Sequence, residues 1–259
     1  MFYLEVDTFI RASLVFLRIT GLFFGLPFFG DLVIPVQVRI LCAGALALGI
    51  YPLVPISWGH NFDLSVLGIS GMMLRELLIG LSVGYLGKLI FEGIVMAASL
   101  VGYQMGFGTA NLLMPGSDVQ INAFTALHRI IVLLFFLSLS LHYIFINGII
   151  QSFEIIPAGS SIITPALGAT MLKSSAQIFS TALQLSAPIL VALLFTMSAL
   201  GLMARTVPQM NVFTLSFPIS FFVGLAIYAA MSPFLPEWLN VYYKNQAIGF
   251  LNALFMLAK

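Results

Sequence analysis

Four ionisable side chains, Arg75, Glu76, Lys88 and Glu92, fall inside one long apolar run of this 259-residue chain. A charge at the centre of a membrane helix costs at least about 2.5–3.5 kcal/mol on insertion scales, so such groups pair or face an aqueous path. Lys88 and Glu92 are one helical turn apart and can meet on one face. Arg75 and Glu76 are adjacent, so they point to different faces and each needs a separate partner. The set can therefore form structural ion pairs, within the chain or between subunits, or it can relay protons or ions. A relay usually needs several carboxylates in register, which favours pairing.

Other chemistry finds little support. His60, His128 and His142 form no metal-spaced pair, and His128-Arg129 has no matching carboxylate or serine motif. Asp7, Asp31, Asp63 and Asp118 all lie near the ends of apolar segments, whereas a membrane protease would place paired Asp, or Ser and His, within them. A glycine-rich Lys-Ser/Thr phosphate loop is missing, so ATP hydrolysis by that route is excluded. The single thiol, Cys42, lies in an apolar run and reads as a small buried side chain. No enzyme, cofactor or metal is expected.

The elements that must position these residues are set by composition. The chain is 61% hydrophobic and only 7% charged, with a mean hydropathy of +1.10. Soluble domains carry about 25% charged residues, so most of this surface must meet lipid or apolar protein. The net charge of +1 gives no reason to expect nucleic acid. Glu5 and Asp7 precede the first apolar run and Arg11 and Arg18 lie within it, which reads as a retained helix rather than a signal peptide.

A spanning helix needs about 20 mostly apolar residues. Six segments are candidates: about Thr8 to Phe29, Val38 to Ile50, Leu64 to Tyr103, Asn122 to Ile150, Leu172 to Ala204 (interrupted at Pro188) and Val212 to Met231 (interrupted at Pro218). A last stretch, Gln246 to Ala258, is too short to span. The third is about twice the length of one crossing, and Gly80-Leu-Ser-Val-Gly84-Tyr-Leu-Gly87 at its midpoint suggests a bend, or a hairpin of two half-length helices. Continuous apolar runs such as Ile130 to Leu137 do not alternate, which argues against a β-barrel. Arg11, Arg18, Arg75, Lys88 and Arg129 lie inside or at the edges of apolar segments, so the positive-inside rule leaves orientation undecided. Without repeats or linkers, residues 1–259 read as a single domain.

Small residues recur four apart at Gly80 and Gly84, Gly93 and Ala97, and Gly102 and Gly106, a spacing that lets helix backbones approach closely. The segment Gly102 to Asn122 stands apart, combining glycines, amides, methionines and Pro115 between two apolar helices. It reads as either a surface loop or a re-entrant gate element, since non-helical backbone at membrane depth is tolerated where it lines a cavity or is buried in protein.

Two long motifs carry a resemblance. Glu92-Gly-Ile-Val-Met-Ala-Ala-Ser-Leu-Val-Gly-Tyr-Gln-Met-Gly-Phe-Gly-Thr-Ala-Asn111 and Gly201-Leu-Met-Ala-Arg-Thr-Val-Pro-Gln-Met-Asn-Val-Phe213, followed by Phe217-Pro218, resemble the FliR family of flagellar export proteins. Arg75-Glu-Leu-Leu-Ile-Gly-Leu and Ile155-Ile-Pro-Ala-Gly look like that family too, and the likeness covers essentially the whole chain in order. It departs at Met114-Pro115, where the family commonly has Asp-Pro; this chain carries Asp118 slightly later, and a role tied to the earlier carboxylate is in question.

The resemblance implies an all-α integral membrane protein of long bent helical hairpins. It would join FliP and FliQ subunits in a helical export-gate assembly, with FlhB alongside, in the bacterial inner membrane at the flagellar basal body. Unfolded flagellar subunits would be its transient clients. The pore plug implied is Gly106, Phe107, Gly108, Asn111, Leu112, Leu113, Met114, Pro115 and Gly116, and Arg205, Pro208, Gln209 and Asn211 would form a packing or intersubunit turn. Gating would be physical, with no covalent chemistry. An injectisome homologue is the nearest alternative. A secondary transporter would explain broken helices and intramembrane charges but predicts an internal repeat that the sequence lacks.

Overall fold

The computed structural model describes residues 2–27, 29, 34–54, 65–107, 122–158, 165–207 and 211–257. Among these, every regular element is helical: α1 (Phe2–Gly25), α2 (Val36–Ile50), α3 (Val66–Gln104), α4 (Ala123–Ser138), α5 (His142–Ile155), α6 (Pro165–Thr206), α7 (Val212–Met231) and α8 (Leu235–Leu257), with 3-10 turns at Tyr51–Leu53 and Ser232–Phe234. The stretches Thr8–Gly25, Val36–Leu53, Val66–Gln104, Gly168–Thr206 and Thr214–Ala253 are long and apolar enough to cross a membrane, and α4 with α5 would make a sixth as one broken span. The chain is an all-α membrane protein.

Helix ends follow local chemistry. Asn122 caps α4, its Oδ1 accepting from the Thr125 amide at 2.7 Å, and Asn211 caps α7 by accepting from the Thr214 amide at 3.3 Å; both satisfy an amide that the first turn leaves without a partner. Pro165 opens α6, where a missing N–H has no cost. Five segments differ in continuity or extent from their reading in the sequence. The third segment is one uninterrupted helix with no hairpin at Gly80–Gly87. α6 and α7 continue through Pro188 and Pro218. The final stretch belongs to the 23-residue helix α8. The fourth segment breaks in two where Ser140 takes a left-handed backbone (φ 54) just beyond the C-cap Leu139, a conformation that ends helices.

Contacts divide the chain into two compact units. The first comprises Met1–Ile90, Ser140–Ser175 and Tyr242–Lys259, and the second comprises Phe91–Leu139 and Ala176–Val241.

In the first unit α1 is the central helix. Its buried positions Ile10, Leu14, Val15, Arg18, Ile19, Leu22 and Phe23 recur at helical spacing and so form one stripe. α2 packs against it. α3 approaches α1 so closely that their backbones touch. A Cβ on Gly80 would overlap the Arg18 carbonyl oxygen, and one on Gly84 would lie 2.5 Å from the Leu22 carbonyl oxygen and 2.8 Å from the Gly25 Cα. Gly21 in turn faces Leu77, Gly80 and Leu81. Two four-residue glycine pairs, Gly21/Gly25 and Gly80/Gly84, therefore interlock, the close-approach geometry known from membrane helices. α5 closes this unit: Phe145 lies over Gly87, and Gly148 receives Leu251 of α8.

In the second unit the core is Ala98, Val101 and Met105 of α3, Phe124 of α4, and Ile189 and Leu193 of α6, with Val223, Ile227 and Tyr228 of α7 against it. Gly93 meets Ile178 at ordinary packing distance.

The backbone contact makes a prediction. Gly80→Ala should destabilise the detergent-solubilised protein by about 1–3 kcal/mol through overpacking, read as a lowered thermal midpoint. Gly71→Ala, whose added Cβ would meet nothing within 4 Å, should be neutral or slightly stabilising. Equal effects of the two would refute the contact.

Candidate functional site

The apolar interior of the first unit holds a fully buried ion pair, whose two members the sequence sets inside apolar segments without showing that they meet. Arg18 of α1 and Glu76 of α3 are both fully buried, and Arg18 Nε donates to Glu76 Oε2 at 2.5 Å. The other guanidinium nitrogens turn to α5. Nη1 donates to Ser152 Oγ at 3.0 Å, and both Nη1 and Nη2 donate to the Ile156 carbonyl at 3.2 Å. Ile156 is the C-cap of α5, so its carbonyl lacks an intrahelical donor and sits at the negative end of the helix dipole. The Phe153 ring lies under the guanidinium, 4.0 Å from Cζ. A cation buried away from water thus has each of its three nitrogens bonded, to a carboxylate, a hydroxyl and a helix end, with an aromatic face against its plane.

Glu76 thus has the separate partner its position demanded, and Arg75, beside it, is only half-buried. Glu92 does not pair with Lys88. Its Oε2 accepts from Arg129 Nη2 of α4 at 2.9 Å, with each side chain about one-third exposed (33% and 32%). The i,i+4 spacing made the Lys88 pair possible, but a tertiary partner with a planar donor fork took the carboxylate instead. Lys88 is half-buried and makes no ion pair among the described residues. Glu92 and Arg129 line a polar cavity of about 200 Å³ with Ser99, Tyr103, Asn122 and Thr125.

That cavity lies at the neck of the glycine-rich segment. Met105 is fully buried, seated against Gly224 of α7. Gly106 has φ +97, and a Cβ there would lie 2.6 Å from the Phe217 ring, so the position excludes other residues twice over. Phe107 meets the Phe221 ring edge-on at 5.7 Å between centroids. At the far end, Asn122 fills the space above Gly102, where a Cβ would come within 2.6 Å of its Oδ1. Both ends of the segment are therefore fixed on helices of the second unit. Of the plug residues named above, Gly106 and Phe107 are placed this way; Gly108, Asn111, Leu112, Leu113, Met114, Pro115 and Gly116 lie outside the described residues.

The second motif resolves into helix-end chemistry. Arg205 is exposed in the last turn of α6, where a cation favours the dipole, and Asn211 caps α7. Pro208 and Gln209 lie outside the described residues. Sequence reasoning missed Arg18 as the partner of Glu76, and Gly21/Gly25 as the partners of Gly80/Gly84. A signal existed for each: an arginine deep in the first apolar run, and a second glycine pair at the same spacing three residues after it.

The model of the family described as bacterial export proteins, family 1, matches residues 9–245. The chain belongs to that family. Among its relatives is the flagellar biosynthetic protein FliR of Bacillus subtilis, 31% identical over 224 residues that cover 85% of each chain. The FliR proteins of Caulobacter vibrioides (28% over 232 residues, 89% of this chain and 92% of the relative) and Escherichia coli (26% over 219 residues, 85% and 83%) are similar over the same extent. The sequence resemblance to the FliR family thus stands, and this export-family chain carries the Arg18–Glu76 centre and the neck on the two units that the match spans.

A double-mutant cycle tests the buried pair. Arg18→Leu alone should cost about 3–5 kcal/mol, because it strands the Glu76 carboxylate. Adding Glu76→Leu should recover most of that loss, since an apolar pair can replace a buried ion pair. Additive losses in denaturant unfolding in detergent would show that the two do not interact.

Proposed function

We propose that this chain is a component of the flagellar type III protein export gate, which helps form and plug the channel through which unfolded flagellar subunits leave the cytoplasm. The observation that carries the reading is the similarity to FliR proteins over more than four-fifths of both chains. The matched relatives named above are flagellar, which leaves the injectisome alternative without support. The whole chain, 1–259, acts as one FliR-type domain and works by occupying space, with no covalent step.

The proposed place is the bacterial inner membrane at the flagellar basal body, in a helical assembly with FliP and FliQ and beside FlhB. The exposed apolar side chains support a partnered surface: Leu172, Phe195, Leu202 and Phe222 are all more than two-thirds exposed, and large apolar side chains left uncovered favour contact with lipid or apolar protein. The segment from Gly106 to Gly116 fills the lumen when the gate is idle and is displaced by a substrate chain, with energy supplied by other subunits or the proton-motive force. Its fixed ends support this, because a seal needs a base that does not move. Arg75, Glu76, Lys88 and Glu92 serve as structural pairs and subunit contacts, and the turn from Arg205 to Asn211 as a packing element.

Removing the gene from the bacterium that carries it should abolish extracellular flagellin and motility, with recovery on complementation. Deleting residues 108–121 while keeping Phe107 and Asn122 should leave an assembled complex that leaks small ions. Normal flagellin export without the chain would sink the gate reading, and unchanged ion permeability in a correctly assembled deletion complex would sink the plug alone.

A further inference from the structure

Four residues of α7, Phe217, Phe221, Gly224 and Tyr228, follow the spacing i, i+4, i+7, i+11 and so share one face of the helix. That face meets both ends of the glycine-rich segment. At the exit, three consecutive residues engage it in turn. Met105, fully buried, fills the notch at Gly224, where an added Cβ would overlap its Cε. Gly106 lies against the Phe217 ring, and Phe107 meets the Phe221 ring edge-on. Beyond the re-entry, in the first turns of α4, Phe124 meets Tyr228 edge-on at 5.0 Å between centroids. One turn further on, His128 Nδ1 lies 2.9 Å from the Tyr228 hydroxyl oxygen.

These contacts do more than bury area. Phe217 is 45% exposed, so its ring hides little of itself, yet it fills the space beside Gly106. A glycine at φ +97 leaves the chain its widest choice of direction, and the ring narrows that choice as the chain leaves α3. Register is fixed as well. Every residue three or four positions from Gly224 carries a side chain: Ser220, Phe221, Ile227 and Tyr228. Sliding α7 by one turn would therefore push a side chain into the seat of Met105 and part Tyr228 from His128. One helix thus sets the exit and the re-entry relative to each other.

We propose that this face of α7 is the positioning surface for the segment between Phe107 and Asn122. Phe217 and Phe221 set the direction of the exit, and Gly224 and Tyr228 set its offset from the re-entry. The role rests on the plug reading of that segment. It also joins the two stretches that carry the family likeness, since the first ends in this neck and the second leads into α7.

Hydrogen exchange on the assembled complex reads the hold directly. The Met105 and Gly106 amides donate to the Val101 and Tyr103 carbonyls at 2.9 and 3.1 Å, and they exchange when the neck opens. Phe221→Ala should speed exchange at these two amides about ten-fold, the factor expected from losing one packed aromatic contact. Phe221→Tyr, which keeps the ring, should restore wild-type exchange. Leu215→Ala, on the far side of α7 from this face, should leave it unchanged. Small-ion permeability of the same complexes should rise in Phe221→Ala and not in Leu215→Ala. Equal exchange in those two variants overturns the proposal, as does a rise spread evenly over the helices of the second unit, which is general destabilisation. Faster exchange at the neck without added leak also overturns it where deletion of residues 108–121 does leak. If that deletion does not leak either, the plug reading has failed, and exchange alone decides whether α7 holds the neck. Should Phe221→Ala not assemble, Phe221→Leu removes the ring and Gly224→Ala displaces Met105, and both should speed the same two amides.

Discussion

A guanidinium and a carboxylate taken out of water lose several kcal/mol of solvation each, and their attraction repays this only when the remaining donors are also satisfied. Arg18 of α1 draws its partners from two other helices at once. Its Nε is on Glu76 of α3, and its Nη atoms are on Ser152 and the open carbonyl of Ile156 at the end of α5. The same residue contributes its backbone, since the Arg18 carbonyl is what leaves no room for a Cβ on Gly80. Charge and close packing therefore fix one register. Sliding α1 along α3 by a turn would strand Glu76 and drive a side chain into the Gly80/Gly84 seam.

Such a lock has a clear use where the surroundings are apolar. Within lipid or apolar protein, burial does not discriminate one helix offset from another, because lipid tails are as apolar as leucine. Shape and polarity must do so instead. α1 and α3 run in the same direction, as the pairing of Gly21 with Gly80 and of Gly25 with Gly84 requires. Parallel neighbours cannot be joined by a tight turn, and α2 occupies the intervening chain while packing on α1.

Helix content, the boundaries of α7 and the apolar character of the chain were legible in the sequence, because period and composition act locally. What escaped it depended on partners elsewhere. Gly80, Gly84 and Gly87 signal either a bend or a close approach, and only Gly21 and Gly25, about 60 residues earlier, decide for approach. Glu92 had Lys88 at the right spacing, yet Arg129 on another helix holds it. The break after α4 carries neither Gly nor Pro; Ser140 takes the left-handed conformation there, and serine is a weak signal for it. Gly102 and Gly106 looked like one close-packing pair, but they do different things: Gly102 admits the Asn122 side chain, and Gly106 turns the chain at positive φ.

That last division of labour bears on how a gate element could be held. Gly102 lets the start of α4 sit against the end of α3, so the exit and re-entry of the glycine-rich segment are neighbours. Met105 and Phe107 then bind the exit to α7 through Gly224 and Phe221, while Asn122 binds the re-entry by capping α4. Loop-closure entropy grows only slowly with length, so once the two ends are fixed, residues can be added or exchanged between them at little cost to the base. A neck built this way confines change to the residues between Phe107 and Asn122 and keeps it from the helices that carry them. The proposed plug role calls for that separation, since an element that yields to a passing chain cannot also be the one that holds the subunit together.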